Sequence, residues 1–333
     1  RTESKRMEIT ASDKFTPPQP LITAVLFLVF NRLDTTKQVF DTIRQAKPPR
    51  LYVAADGARA NKEGEADKAQ VVRDYIMQNV DWECEVKTLF RDENLGCKYA
   101  VSGAIDWFFE NEEMGIILED DCLPSQSFFW FCEELLEKYK DDMRVWHIGG
   151  YLHNIATEEL KFTKESYFFS KYTNIWGWAT WKNRWQKYDV NIVSFLELKN
   201  KIDIEQLTLV NYKMANNRLK NNLEHIVNGM DTWDHQWWYT VNYNNGLVIK
   251  PKSNLIENIG IGHENATHTR TKVSQFDSDV KNEIMFPIIH PSAVIINYLY
   301  DYYFVLKNMN RIGLLKRINN KVKNVFSQVY TKN

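Results

Sequence analysis

Short apolar runs alternate with amphipathic stretches through the first third of the chain. Ala24–Phe30 reads as a strand buried on both faces, because it is a continuous apolar run and not an alternation. Asp34 then predicts a helix cap, with Val39, Phe40 and Ile43 on one face and Pro48-Pro49 as the stop. Leu51–Ala55 predicts a second strand ending at Asp56-Gly57. Glu65–Asn79 predicts a helix carrying Val71, Val72, Tyr75 and Ile76, and Glu85–Phe90 a third strand. A loop with Asn94 and Gly96 leads into a helix over Tyr99–Phe109, and Gly115–Leu118 is the next strand. Strands alternating with helices imply an α/β fold with a mainly parallel sheet.

Each of these strands exits into polar residues: Asn31-Arg32, Asp56, Arg91-Asp92 and the triplet Glu119-Asp120-Asp121. In open α/β sheets that edge is where ligands bind. Three crowded carboxylates repel one another unless a cation joins them. Hard divalent cations such as Mg2+ or Mn2+ take oxygen ligands and bridge to phosphates. A second reading stays open here. Pro124-Ser125 and an amphipathic helix with Phe128, Cys132, Leu135 and Tyr139 follow, so an acid could favour that helix's N-terminus. No glycine-rich phosphate loop of the G-x-G-x-x-G or Walker type is present, so phosphate charge would need a metal and side chains.

Beyond residue 140 the pattern changes. Arg144–Ile148, Ser166–Tyr172 and Gly246–Lys250 read as strands, and 194–229 reads as helical and polar. Between them lies the aromatic run Ile175-Trp176-Gly177-Trp178-Ala179-Thr180-Trp181, with Trp185 close behind. The 11 Trp suit a sugar-binding cleft, since a sugar ring has an apolar face, although core packing absorbs most aromatics. The 333 residues show no repeat and no Gly/Ser linker, which favours one continuous catalytic domain. A net charge of -1 gives no case for nucleic acid as a partner.

Cys84, Cys97, Cys122 and Cys132 lack paired zinc spacing and read as reduced thiols of a cytoplasmic protein. Leu21–Phe30 is too short for a bilayer span of about 20 residues. Residues 1–20 end in Pro17-Pro18-Gln19-Pro20 and read as a disordered arm. From Asp301 the chain carries seven Lys or Arg against one acid, with Leu315, Ile318, Val322, Val325 and Val329 on one helical face. This basic amphipathic tail, 291–333, suits either peripheral contact through its 305–330 helix with the inner face of the plasma membrane or packing on its own domain.

The stretch Ile116–Phe129, with Glu119-Asp120-Asp121-Cys122-Leu123-Pro124-Ser125 at its centre, resembles the Glu-Asp-Asp segment of the N-acetylglucosaminyltransferase I family. That family comprises inverting, metal-dependent glycosyltransferases of the GT-A fold. Trp176-Gly177-Trp178, Thr232-Trp233-Asp234-His235-Gln236-Trp237 and Gly262-His263-Glu264-Asn265-Ala266-Thr267-His268 resemble, in order, its donor-side Gly-Trp segment, its base-bearing segment and its nucleotide-closing loop. The resemblance covers roughly residues 22–270, and the 190–230 insert has no counterpart in it.

The resemblance implies a GT-A (Rossmann-like) domain over 21–290, with a nucleotide-binding half at about 21–122 and an acceptor half at about 123–290. It implies that Asp121 binds Mn2+ or Mg2+, that Asp120 faces the ribose or the metal's water shell, and that Glu119 orients the donor sugar. Arg32 would reach the nucleotide and Asp56 would accept from the uracil N–H. Gly177 and Trp178 would lie beside the donor sugar, and His268 on a lid over phosphate. Asp234 would be the base, with partial burial among Trp233, Trp237 and Trp238 raising its pKa and with Asp231 as substitute. The implied partners are a nucleotide-sugar donor, a UDP-sugar foremost, and a glycan or lipid-linked glycan acceptor in bacterial polysaccharide synthesis.

Two competing readings stand beside this. A sugar-nucleotide nucleotidyltransferase would use a similar sheet, but it needs a glycine-rich, Arg- or Lys-bearing loop where this chain has Asn31-Arg32-Leu33-Asp34. A non-catalytic carbohydrate-binding protein would not need an intact acid triplet together with Asp234.

Overall fold

A computed structural model describes residues 15–153, 164–198, 213–262 and 280–308. Eight strands form one mixed sheet. In spatial order they are β3 (Glu85–Phe90), β2 (Arg50–Ala55), β1 (Val25–Val29), β4 (Met114–Glu119), β8 (Trp178–Trp181), β6 (Val145–Gly149), β9 (Leu247–Pro251) and β7 (Tyr167–Ser170). β1 pairs parallel with β2 and β4, β2 with β3, and β6 with β9. β8 runs antiparallel between β4 and β6, and β7 antiparallel along β9. The result is the Rossmann-like, mainly parallel α/β sheet that the alternation of strand and helix predicts.

Every residue of β1 is buried, as its unbroken apolar run requires. Val25, Phe27 and Val29 face α1 (Leu33–Ala46), α2 (Glu65–Asn79) and α4 (Ser127–Tyr139) on one side. Ala24, Leu26 and Leu28 face α3 (Gly96–Asn111), Trp185 of the short α5 (Lys182–Trp185) and α8 (Asp234–Tyr243) on the other. Burying both faces is what a parallel sheet of this composition needs to remove its apolar area from water. Register then levels the strand exits: Leu28 lies opposite Glu119, Val29 opposite Ala55, and Ala55 opposite Phe90.

Four features go beyond the sequence reading. Residues 15–20 are packed against the domain: Phe15 lies 5.3 Å from Trp130, whose indole N–H donates to Gln19 O. Glu133 secures the same segment by accepting from Ile22 N, Thr23 N and Gln19 Nε2. Trp178–Trp181 is a buried central strand. The helical reading of 194–229 holds where the stretch is described, as α6 (Val193–Leu198) and α7 (Lys213–Val227), with 199–212 outside the described residues. Finally, α9 (Tyr298–Asn308) packs on β7, where buried Asp301 accepts from Ser170 Oγ and from Lys171 N at 2.9 Å. Residues 309–333, the basic part of the tail, lie outside the described residues. No helix among the described residues is long and apolar enough to cross a membrane.

Candidate functional site

β4 ends on Glu119, and β5 (Cys122–Pro124) begins three residues later, so Asp120 and Asp121 form the tight link between two strands. β5 pairs with β10 (Ile256–Asn258), and Ile259 N donates to Asp121 O at 2.9 Å. The triplet therefore does not cap α4. That helix receives its anion from Glu283, which accepts from Gln126 N at 3.1 Å and Ser127 N at 2.7 Å.

The cation among the acids is Arg32. Its Nη1 lies 2.9 Å from Asp121 Oδ2, and its Nη2 donates to Asp120 Oδ1. Arg32 is the residue at the head of α1, and its own carbonyl accepts from Thr36 N at 3.0 Å. The helix start thus aims the guanidinium across the sheet edge at β4. Asp34, expected as the cap, sits in the first turn instead. Charge-assisted bonds to its own chain hold Arg32 at the edge where the resemblance would have it reach a nucleotide.

The triplet is not fully satisfied. Glu119 Oε1 and Asp120 Oδ2 are buried without a hydrogen-bond partner among the described residues. Burial and then the Asp121 and Asp120 charges push Glu119 well above the usual carboxylate range. Burial pushes Asp120 up to about 6 against the opposing charge of Arg32. Such orphaned oxygens mark a place where a further donor or cation gains a full interaction. An all-oxygen set fits a hard divalent cation held by one or two carboxylates and completed by phosphates. Among the described residues, no three His, Cys, Asp or Glu side chains converge as a complete metal cage. The set fits a cation shared with a phosphorylated ligand, not one enclosed by protein.

Asp56 at the β2 exit binds the loop after β3. Its carboxylate accepts from Asn94 Nδ2 at 2.9 Å, Leu95 N at 3.0 Å and Gly96 N at 3.2 Å. Burial raises its pKa, opposed by those backbone donors. Asp231, from the loop before α8, accepts from Cys97 N at 3.0 Å and Lys98 N at 2.7 Å. Each oxygen of Asp231 thus accepts from the α3 N-terminus. Sequence reasoning missed this clamp, because its partners lie more than a hundred residues away.

Asp234 stands at the first position of α8, among Trp233 and Trp237 as expected. Its pKa is the reverse of the expectation. Burial pushes it up, but the bond and charge of His235 and the bond from Thr232 outweigh burial and hold it at about 2. His235 Nδ1 lies 3.0 Å from Asp234 Oδ1, and Thr232 Oγ1 donates to the same oxygen. The charge of Asp234 acts on Glu119. Burial raises the Cys97 thiol, and Glu119, Asp231, Asp234 and Asp56 all add to that rise. The exits of β2 and β4 and the loop before α8 thus converge on the head of α3.

Gly177 and Trp178 are both buried. Gly177 adopts φ +61°, and a Cβ there would overlap Ile256 of β10. Trp178 is fully buried, stacked on His147 at 5.0 Å and on Trp233 at 5.8 Å. A sugar cannot stack on a ring without exposed surface, so the donor-side role implied for Trp178 is corrected to core packing. His268, like His263, lies outside the described residues. All four cysteines are free thiols. A cavity of about 990 Å³ opens at the opposite sheet edge, by Ala24 and Met114. Two of its lining acids are already paired, Glu112 with Arg50 and Glu133 with the 19–23 segment.

No family model and no curated protein matches this chain. Among solved structures it is similar to an apo UDP-glucose pyrophosphorylase, over 72% of this chain and 94% of that one, at 9% identity and a TM-score of 0.34. HddC from Yersinia pseudotuberculosis aligns over 54% of this chain and 87% of its own, at 10% identity and TM-score 0.32. The 4-diphosphocytidyl-2C-methyl-D-erythritol synthase of Anaerococcus prevotii aligns over 63% and 85%, at 8% identity and TM-score 0.32. At these scores the likenesses carry no argument, and the fold stands on the strand order described above.

Proposed function

We propose that this chain is a metal-dependent inverting glycosyltransferase, moving a sugar from a nucleotide diphosphate donor, foremost a UDP-sugar, to a hydroxyl of a glycan or lipid-linked glycan. The reading places it in the cytoplasm, with or without peripheral membrane contact through the 305–330 segment. The observation that carries it is the meeting at one sheet edge of a partly unsatisfied acid triplet, Arg32, Asp56 and Asp234. The resemblance of the four ordered segments to the N-acetylglucosaminyltransferase I family supports the same reading, although Trp178 no longer contributes to it.

On this reading Asp121, aided by Asp120, holds Mn2+ or Mg2+. That cation supplies neutralisation of the charge building on the diphosphate leaving group. Arg32 shares its guanidinium between Asp121 and the phosphates, as a bidentate cation can. Glu119, whose Oε1 has no hydrogen-bond partner among the described residues, orients the donor sugar. Asp234 accepts the proton of the acceptor hydroxyl as it attacks the anomeric carbon from the opposite face, which inverts that centre. An Asp held at about 2 is a weak base. His235 would have to loosen from it as the acceptor hydroxyl arrives.

Nucleotidyl transfer is the second reading. The observation favouring it is the guanidinium of Arg32 at the β1–α1 turn, where a side-chain cation would meet a transferred nucleotide's phosphates. Against it, that turn contains no glycine. One assay separates the two. UDP-, GDP-, CMP- and dTDP-sugars with Mn2+ are offered, and nucleotide release is followed. In parallel, nucleoside triphosphates with sugar 1-phosphates are offered, and diphosphate release is followed. Nucleotide release lost with EDTA supports glycosyl transfer. Diphosphate release alone moves the assignment to nucleotidyl transfer, and silence in both arms leaves a binding protein.

A further inference from the structure

We propose that Asp231 is a positioning residue that ties the Asp234 loop to the nucleotide side of the cleft. This rests on the reading of Asp234 as the base. The α3 N-terminus offers backbone N–H groups that have no partner within the helix. Asp231 takes two of them, Cys97 N at 3.0 Å and Lys98 N at 2.7 Å. Gly96 precedes them with φ +76°, and a Cβ there would stand 2.8 Å from Asp231 Oδ2. The close approach is therefore built into the backbone at Gly96.

The segment 94–98 is gripped from two sides. Asp56 of the β2 exit binds Asn94, Leu95 and Gly96, and Asp231 binds Cys97 and Lys98. From Asp231 the chain reaches Asp234 in three residues, and these are themselves held. Thr232 Oγ1 donates to Asp234, Tyr188 OH donates to Trp233 O at 3.0 Å, and Gln236 Nε2 donates to Thr232 O. A shift of the 94–98 segment, such as a nucleotide base at Asp56 would cause, reaches Asp234 through a short, hydrogen-bonded path. On this reading Asp231 acts through Asp234.

The test compares Asp231→Ala and Asp231→Asn in the full chain. Hydrogen exchange is followed in peptides covering 96–100 and 232–237, without ligand. Turnover is measured with Mn2+ and whichever donor the wild-type chain uses in the screen above. In Asp231→Ala, exchange is expected to quicken about tenfold in both peptides. The kcat is expected to fall about tenfold, while the donor KM moves by less than about threefold. Asp231→Asn keeps one acceptor oxygen and is expected to recover part of both effects. It also supplies the comparison if the alanine variant does not fold. Unchanged exchange over 232–237 overturns the proposal, as does a rise in donor KM with kcat intact. A wild-type chain that turns over no donor defeats the transfer reading alone, since the exchange arm still decides whether the tie exists.

Discussion

Arg32 Nη1 lies 2.9 Å from Asp121 Oδ2, so the residue expected to bind a metal is already paired with a cation of its own chain. Removing one partner of a partly buried pair leaves an uncompensated charge, at a cost of about 3–5 kcal/mol. Arg32→Ala is therefore expected to lower the melting temperature in metal-free buffer. Mn2+ is expected to restore more of it in the variant than it adds to the wild-type chain. Equal shifts in both proteins would separate Arg32 from the cation site.

Asp121→Ala is expected to reduce nucleotide release by about 10²–10³, the scale of losing one electrostatic contact to developing charge. EDTA on the wild-type chain should have the same effect, and adding EDTA to the variant should change little further. Retained activity in the variant would move the cation to Glu119 and Asp120.

Asp234→Asn should lower kcat by about 10²–10⁴ with donor KM nearly unchanged, as expected for loss of a base. The pH profile carries a sharper test. His235 and Thr232 hold Asp234 at about 2. Replacing His235 with Asn removes the imidazole whose bond and charge hold Asp234 down, so the Asp234 pKa rises. The acid limb of kcat/KM should then move to higher pH than in the wild-type chain. An acid limb at the same pH in both would remove Asp234 as the group that must be ionised.

Trp178→Ala is expected to cost about 3–5 kcal/mol of stability, the usual range for emptying a large buried aromatic site. Its fully buried ring packs on His147, Trp233 and Trp237. Urea unfolding would read the loss directly. A variant of wild-type stability with a raised donor KM would return Trp178 to the donor site.

Lys250 is buried with Nζ unpartnered among the described residues, and burial lowers its pKa from 10.5 to about 7. The charge of Asp301 of α9 opposes that fall, and Lys250 in turn helps to lower His147 of β6. The unfolded chain binds this proton up to about 10.5 and the folded chain only up to about 7. Stability from this group therefore rises as pH climbs between those values and is lost as pH falls through about 7. Lys250→Met should flatten that rise and melt no lower than wild type at pH 7 in urea or heat. An identical pH slope in both proteins would show that Lys250 does not titrate there.

Periodicity and composition determined the strands of the parallel half and the level of their polar exits. Runs such as Ala24–Phe30 are legible because burial on both faces demands unbroken apolar sequence. The acid triplet, Arg32, Asp56 and Asp234 were also visible in the chain, as residue types suited to phosphate, metal and proton chemistry. What surrounds each of them was not visible, because those partners are distant in sequence. Arg32 meets Asp121 across 89 positions, and Asp231 meets Lys98 across 133. Glu283 displaces the triplet as the cap of α4 across 156. Trp178 reads identically as a sugar platform or a core ring until β8 is placed between β4 and β6. Charge and burial at a site are sums over neighbours in space. The sequence therefore names the groups, and only their tertiary arrangement decides that burial raises Glu119 and Asp120 while His235 lowers Asp234.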